Sequence, residues 1–305
     1  MRLRKVAGLA VGAVGATALV NRTLSRRARE FEPALGGVQR TYRWRGFDVS
    51  YTEAGDPDAE DLVLLHGINA AASNNEWEAV FDDLAREYRV VAPDLPGFGH
   101  SDRPPLTYSA SLYEAFVRDF LDEVTDDPVV VASSLTAAYV AAVADDVDAA
   151  RYVLVCPSAD AMPGERVWLR TLFRSPVVGE ALFNALVSEP GLRYFHDDHG
   201  YADLDNLTEE TLAYEWTTAH QPGARFAPAS FVSGHLDAEV DLADALGDLD
   251  APVTLVWGAD ADLPPLSTGR ELAEAADVRL VSVGDAQLLP HVEHPDEFRA
   301  VLTEE

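Results

Sequence analysis

The chain has 305 residues, 48% of them hydrophobic, which is enough for one large domain with a sizeable core and argues against general disorder. Its formal net charge of −29 argues against nucleic acid as a partner, because two polyanions repel each other. The single cysteine, Cys156, excludes an intrachain disulfide and a thiolate metal cage, and we expect neither a cofactor nor a metal.

The acidic residues are spread over the whole domain and do not form a tail. Such self-repulsion normally destabilises a compact state. Concentrated salt removes most of that cost, because the Debye length falls to about 3 Å at 1 M. We therefore predict a halophilic protein from a salt-rich cytoplasm.

Residues 1–40 form a distinct N-terminal segment. An uncharged apolar run at residues 6–20 lies between two groups of basic residues: Arg2, Arg4 and Lys5 before it, and Arg22, Arg26, Arg27 and Arg29 after it. The run is shorter than the about 17 residues that a spanning helix needs, but flanking arginines can extend a span by snorkelling. A membrane anchor, a cleaved signal peptide and a surface-lying helix are the alternatives. We favour an anchor, with the domain facing the cytoplasm because positive charge is retained there.

From Tyr42 onward, strand and helix patterns alternate. Short apolar or alternating segments predict strands at residues 47–53, 61–65, 88–92, 128–131, 151–155, 253–257 and 278–283. The alternation predicts an α/β fold with a mostly parallel sheet covered by helices on both faces. The rhythm stops after residues 151–155, the sixth strand when a first strand that begins at Tyr42 is counted, and helical patterns there predict an inserted cap. We assign residues 41–159 and 236–305 to the core and residues 160–235 to the cap.

A tight strand-to-helix turn is predicted at Ser134. An apolar strand runs through Ala132 into Ser133 and Ser134, and a helix of small residues follows directly. Only small residues fit two positions before and after such a serine, and here they are Ala132 and Thr136. The turn would lift the Ser134 hydroxyl above the sheet, and the amide of Leu135 would face a developing oxyanion.

The chain resembles the α/β-hydrolase family over roughly residues 42–303. The resemblance is carried by four segments in order: His66-Gly67 after a strand, the D-x-x-G-x-G-x-S string from Asp94 to Ser101, Trp257-Gly258, and the end of a C-terminal signature at Pro290, Glu293, Pro295 and Phe298. It implies the α/β-hydrolase fold, a nucleophile–acid–histidine order, and the amide of Ile68 as a second oxyanion donor.

The acid and the base depart from the family pattern. The family's acid position is Ala261, between Asp260 and Asp262, and we favour Asp262 because Leu263-Pro264 follows it. The position of the family's catalytic histidine is Leu288, which cannot accept a proton. His291, three residues later, is the candidate base, and His235 is a remote one.

Two functional hypotheses follow from these residues. The first is a serine-type hydrolase of a small ester or related acyl substrate, with Ser134, Asp262 and His291 or an unidentified base. The second is a catalytically degenerate member of the fold that binds a ligand or partner while tethered at the membrane through residues 6–20. A small-molecule substrate is the expected partner of the first.

The charge analysis predicts that stability depends on salt. Raising KCl from 0.1 M to 2 M should raise the melting temperature, by about 2–4 °C for each kcal/mol of self-repulsion that is screened. Sucrose at matched water activity is the control, because it favours compactness without screening charge. A melting temperature that is flat in KCl would contradict the prediction.

Overall fold

A computed structural model of the protein describes the backbone of residues 2–28 and 31–303 and the side chains of residues 15–28 and 31–303. The strands are β1 Val38–Trp44, β2 Phe47–Ala54, β3 Asp61–Leu65, β4 Arg89–Pro93, β5 Val129–Ser133, β6 Arg151–Val155, β7 Val253–Gly258 and β8 Arg279–Val283. In the described chain they form one eight-stranded sheet of order β1-β2-β4-β3-β5-β6-β7-β8, antiparallel at β1, β2 and β4 and parallel from β4 onward. The predicted mostly parallel α/β-hydrolase sheet is therefore confirmed.

Helices connect the strands and cover the sheet. They are α1 Arg2–Arg27, α2 Glu78–Leu84, α3 Ala110–Val124, α4 Ser134–Val143, α5 Val167–Arg174, α6 Val178–Leu186, α7 Glu189–Phe195, α8 Glu209–Ala219, α9 Phe226–Phe231, α10 Leu242–Gly247, α11 Leu266–Ala276, α12 Pro290–Glu293 and α13 Pro295–Thr303. Alternation along the strands decides which face each side chain joins. In β3, Val63 and Leu65 belong to one hydrophobic cluster, and Leu62 and Leu64 belong to the cluster on the opposite face.

Helices α5 to α9 are inserted between β6 and β7, which confirms a helical cap after the sixth strand. The cap has its own hydrophobic cluster, which includes Phe183, Val187 and Leu212 and reaches the core at Ala71. Because this cluster touches the loop that follows β3, the cap lies above the ends of the central strands. The exact limits of core and cap remain a prediction.

Helix α1 packs against the cap. The side-chain amide of Asn21 donates to the Val177 carbonyl at 3.0 Å, and Asn184 donates to Asn21 Oδ1 at 3.1 Å. In the described part of the chain, no helix has both the length and the apolar character needed to cross a membrane. Residues 6–14 of the expected anchor lie outside the residues whose side chains are described.

The loop after β4 shows why the D-x-x-G-x-G-x-S string has its spacing. The Asp94 carboxylate accepts hydrogen bonds from the amides of Asn74 at 2.8 Å and His100 at 2.7 Å. Gly99 has φ +47°, and a Cβ built on it would lie 1.9 Å from the Asp94 carboxyl carbon. Ser101 closes the turn by donating to the Asp94 carbonyl at 2.5 Å. Only glycine therefore fits at position 99.

We expect Gly99→Ala to lower the free energy of unfolding by more than Gly46→Ala does. Both glycines have positive φ, but a Cβ at Gly46 would meet nothing within 4 Å. Backbone strain should therefore lower the free energy of unfolding of Gly46→Ala, the control, by about 1–2 kcal/mol. Gly99→Ala should lower it by about 2 kcal/mol more, because its Cβ overpacks against Asp94. Urea denaturation measures both, and equal losses would contradict this account of the loop.

Candidate active site

The predicted elbow is present at Ser134. Strand β5 ends at Ser133, helix α4 starts at Ser134, and Ser134 has φ +53°, a left-handed conformation that is uncommon for a residue with a side chain. Ser133 is buried, whereas Ser134 is only half-buried. The turn thus directs one hydroxyl outward and the other inward, and such local strain is typical of functional sites.

The HG loop after β3 is fixed to the elbow by hydrogen bonds. The Thr136 hydroxyl, at a position where the elbow usually has glycine, donates to the His66 carbonyl at 2.7 Å. The amide of Leu95 donates to His66 Nε2 at 3.0 Å, so the ring proton is on Nδ1, which lies 2.7 Å from the Gly67 carbonyl. Burial lowers the pKa of His66 and keeps the ring neutral. His66 is therefore a structural connector between the two loops.

Two backbone amides are the candidate oxyanion donors. The Leu135 amide is in the first turn of α4, where N–H groups lack an acceptor within the helix. The amide of Ile68, next to Gly67 in the HG loop, has no hydrogen-bond acceptor among the described residues. A Cβ built on Gly67 would lie 3.4 Å from Ser134 Cβ, so the HG loop directly abuts the elbow. This arrangement can stabilise negative charge that develops near the Ser134 hydroxyl.

A carboxylate that the sequence analysis missed lies at the same place. Glu76 Oε2 accepts a hydrogen bond from the Gly67 amide at 2.9 Å, and the Cβ position of Gly67 is 3.4 Å from this oxygen and 3.3 Å from Ser133 Oγ. Burial alone would raise the pKa of Glu76, but His291 and the Ser133 hydroxyl hold it below its usual value. The carboxylate is thus ionised next to Ser133 and to the HG loop, which abuts Ser134.

His291 is the partner of Glu76. Its Nε2 lies 3.3 Å from Glu76 Oε1, its side chain is fully buried, and its ring lies 4.4 Å from the Trp77 ring. Neither of its ring nitrogens, nor Glu76 Oε1, forms a hydrogen bond of acceptable geometry among the described residues, so distance alone defines this contact. The structure therefore brings His291 to the elbow region through Glu76, and Phe298 closes the far side of the ring.

The two candidate acids lie elsewhere. Asp260 and Asp262 follow β7, and both are exposed to solvent. The ion-pair contact found for His291 among the described side chains is with Glu76 and not with Asp262. Of the three carboxylates, Glu76 is the one that is buried and lies beside a histidine. The position of Glu76 directly before Trp77, a large apolar residue, was the feature of the sequence that could have identified Glu76 as a buried carboxylate.

A cavity of about 410 Å³ lies between the core and the cap. Its core side includes Asn69, Ala72 and Glu76, and its cap side includes His196, Tyr201 and Glu215. His196 Nε2 lies 2.7 Å from Glu215 Oε2, so these two side chains pair within the cap. The cavity therefore gives a small molecule access to Glu76 and to Asn69, which follows the HG loop, whereas Gly67 and Ser134 do not line it.

Glu293 of the C-terminal signature holds the cap to the core. Its carboxylate accepts hydrogen bonds from the amides of Ala202 at 2.9 Å and Asp203 at 3.2 Å, and from the amide of Gln287 at 2.9 Å. Acceptance of three amides by one carboxylate fixes the loop that carries Leu288 relative to the cap. The signature glutamate is thus a positioning residue for the walls of the cavity.

Comparison with known proteins agrees with this fold. A 2-hydroxy-6-oxo-6-(2'-aminophenyl)hexa-2,4-dienoic acid hydrolase of Metapseudomonas resinovorans is 34% identical over 91 residues, which are 30% of this chain and 31% of that protein. The chain thus matches less than a third of that relative's length. A pimeloyl-(acyl-carrier protein) methyl ester esterase of Aromatoleum aromaticum is 30% identical over 259 residues, which are 80% of this chain and 97% of the esterase.

A solved structure and a family match complete the comparison. The 2-hydroxy-6-oxo-6-phenylhexa-2,4-dienoate hydrolase of Rhodococcus sp. strain RHA1 superposes with a TM-score of 0.69 and 21% identity, covering 87% of this chain and 96% of that one, which shows a common fold. Residues 62–301 match the Alpha/beta hydrolase family, from the strand before the HG loop to the last helix. With its sheet, cap, HG loop and serine elbow, the chain belongs to the α/β-hydrolase family.

Proposed function

We propose that the protein is a serine hydrolase that cleaves a small ester or related acyl substrate. The observation that carries the proposal is the half-buried Ser134 at positive φ, beside the HG loop and the amides of Ile68 and Leu135. The esterase of Aromatoleum aromaticum, which matches over nearly its whole length, supports an ester as the substrate class. The cytoplasmic side of a membrane remains the proposed location.

In the proposed reaction, the Ser134 hydroxyl oxygen attacks the acyl carbon and its proton passes to a base. The amides of Ile68 and Leu135 hold the oxyanion that forms. The acyl–oxygen bond of the substrate then breaks, the alcohol leaves with the proton, and water hydrolyses the acyl-serine to release the acid and free Ser134.

We assign the base to Glu76. It lines the cavity, it contacts Gly67 at the point where Ser134 also approaches, and it is ionised. His291, buried behind it with Nε2 3.3 Å from Glu76 Oε1, is then a positioning residue for the carboxylate. The sequence alone proposed the reverse order, with His291 as base and Asp262 as acid. The exposure of Asp262 and the pairing of His291 with Glu76 favour the present assignment.

The alternative is a degenerate hydrolase that binds a ligand or a partner without turning it over. Leu288, at the family's histidine position, favours it because a leucine cannot accept a proton. The two proposals differ in one property, which is whether the Ser134 hydroxyl reacts.

A fluorophosphonate probe should label the wild-type protein at Ser134 and should not label Ser134→Ala. Ser133→Ala, the matched control, should still be labelled because that hydroxyl is buried inside the turn. If a substrate is found, Ser134→Ala should lower kcat by about 10³-fold or more. Mass spectrometry locates the adduct. A folded wild-type protein that stays unlabelled would support the degenerate alternative.

The pH dependence of labelling should distinguish the two bases. The pKa of Glu76 is held below its ordinary value, so its carboxylate accepts protons throughout the neutral range. The labelling rate should therefore stay constant from pH 8 down to about 5 and fall only in more acidic solution. Glu76→Gln keeps an acceptor for the Gly67 amide but should label at least about 100-fold more slowly. A rate that already falls between pH 8 and 6, where no carboxylate with a lowered pKa titrates, would contradict the assignment of the base to Glu76.

A further inference from the structure

Helix α5 lies on the surface of the cap with an unusual exposure. None of its residues is buried, and Val167 and Trp168 are exposed, with 66% of the Trp168 surface accessible. Its other side packs closely against α6, because a Cβ at Gly179 would lie 2.3 Å from the Phe173 carbonyl oxygen. Helix α5 is therefore held by one side and presents a tryptophan and a valine to the solvent.

The same helix is basic in a chain that is otherwise strongly acidic. Arg166, Arg170 and Arg174 fall within nine residues that contain no acid. Together with the seven basic residues of residues 1–29, they account for ten of the 23 basic residues of the chain, against 52 acidic ones elsewhere. Residues 40–45 also carry three arginines, but these pair with Glu53, Asp48 and Asp119. Arg166, Arg170 and Arg174, in contrast, form no ion pair with a described acidic side chain.

The arginines of the cap crowd one another. Burial lowers the pKa of Arg174, and the nearby charges of Arg170 and Arg225 lower it further. Arg174 is fixed in place because it donates to the carbonyl of Pro105 at 2.8 Å and to that of Leu106. Leu106 is itself partly exposed beside it. Clustered cations of this kind carry a repulsive cost that a facing anion would relieve.

Helix α1 continues this surface. Asn21 joins α1 to α6 through Val177 and Asn184, and Leu19 and Val20 on α1 are exposed. The exposed side chains of α6 include Val178 and Leu182, one helical turn apart on one side. We call the outer surface of residues 19–27, α5 and the first turns of α6 the basic–apolar face.

We propose that the basic–apolar face docks onto an anionic lipid bilayer, with Trp168 at the level of the headgroups. Tryptophan favours the membrane interface, arginine side chains bury their stems and pair with phosphates, and amphipathic surface helices of this composition lie in the interface plane. A second copy of the chain fits less well. A two-fold interface would place the same arginines against each other. The cap, and not α1 alone, then contacts the lipid.

Flotation of the full chain with vesicles of phosphatidylcholine and phosphatidylglycerol at a ratio of 70:30 tests the proposal. The wild-type protein should bind these vesicles and bind pure phosphatidylcholine at least 10-fold more weakly. Trp168→Ala and Arg170→Glu should each reduce binding at least 5-fold. Tyr194→Ala is the matched control, because Tyr194 is a cap residue with 60% exposure on α7, close to Asp197 and Asp198, and its binding should equal that of wild type. In 2 M KCl the effect of Arg170→Glu should shrink while that of Trp168→Ala persists.

Direct contact is tested with lipids brominated in the upper acyl chain. These lipids should quench the contribution of Trp168 to the fluorescence of the wild-type protein. Trp168→Phe, which keeps an aromatic ring, should lack this quenched contribution. Equal quenching in both, wild-type flotation of Trp168→Ala, or no binding to anionic vesicles would each overturn the proposal. So would a dimer in gel filtration that Trp168→Ala dissociates, because that result assigns the face to a second copy.

Discussion

The left-handed backbone of Ser134 is the constraint on which the rest of the site depends. A residue with a side chain adopts this conformation only when its surroundings hold it there. The helix of small residues after it and the Thr136 bond to the His66 carbonyl supply that support. The same contacts bring the HG loop to the elbow. They therefore hold the strained backbone of Ser134, and they also set the position of its hydroxyl relative to the HG loop. Glycine at the usual elbow position would leave this bond unmade.

The buried pair of Glu76 and His291 is the basis of our proposal that a carboxylate, and not a histidine, serves as the base. A carboxylate removed from water is costly unless it is paired and hydrogen-bonded, and Glu76 has both a histidine and the Gly67 amide. Leu288 makes the family's histidine position apolar, and His291 lies three residues later, in α12, with its ring against that of Trp77. The acid that would have served a histidine at position 288 is then free to remain in solvent, as Asp262 does.

Charge separates the molecule into two regions with different surroundings. The core carries the acidic excess, whereas α1 and α5 carry a concentrated positive charge beside exposed apolar side chains. Because Asn21 binds the carbonyl of Val177, a residue with φ +63°, α1 is connected to the start of α6 and through it to the cap. The cap also forms one wall of the cavity, and Glu293 links that wall to the core. A surface that orients the cap therefore also orients the entrance to the site.

The sequence by itself determined the sheet, the inserted cap, the loops around Asp94 and Gly67, and the turn at Ser134. Each of these features is predicted by a short sequence pattern: an apolar strand, glycines at fixed spacing, or small residues around a serine. It did not reveal Glu76, because the contact between Glu76 and His291 joins residues 215 positions apart, and pairing at that distance leaves no periodic pattern. Nor could it place Asp262 in solvent, since spacing from Gly258 gives the position of a side chain along the chain and not its burial. Tertiary packing alone decided which carboxylate is desolvated, and desolvation is what selects a partner for a buried histidine.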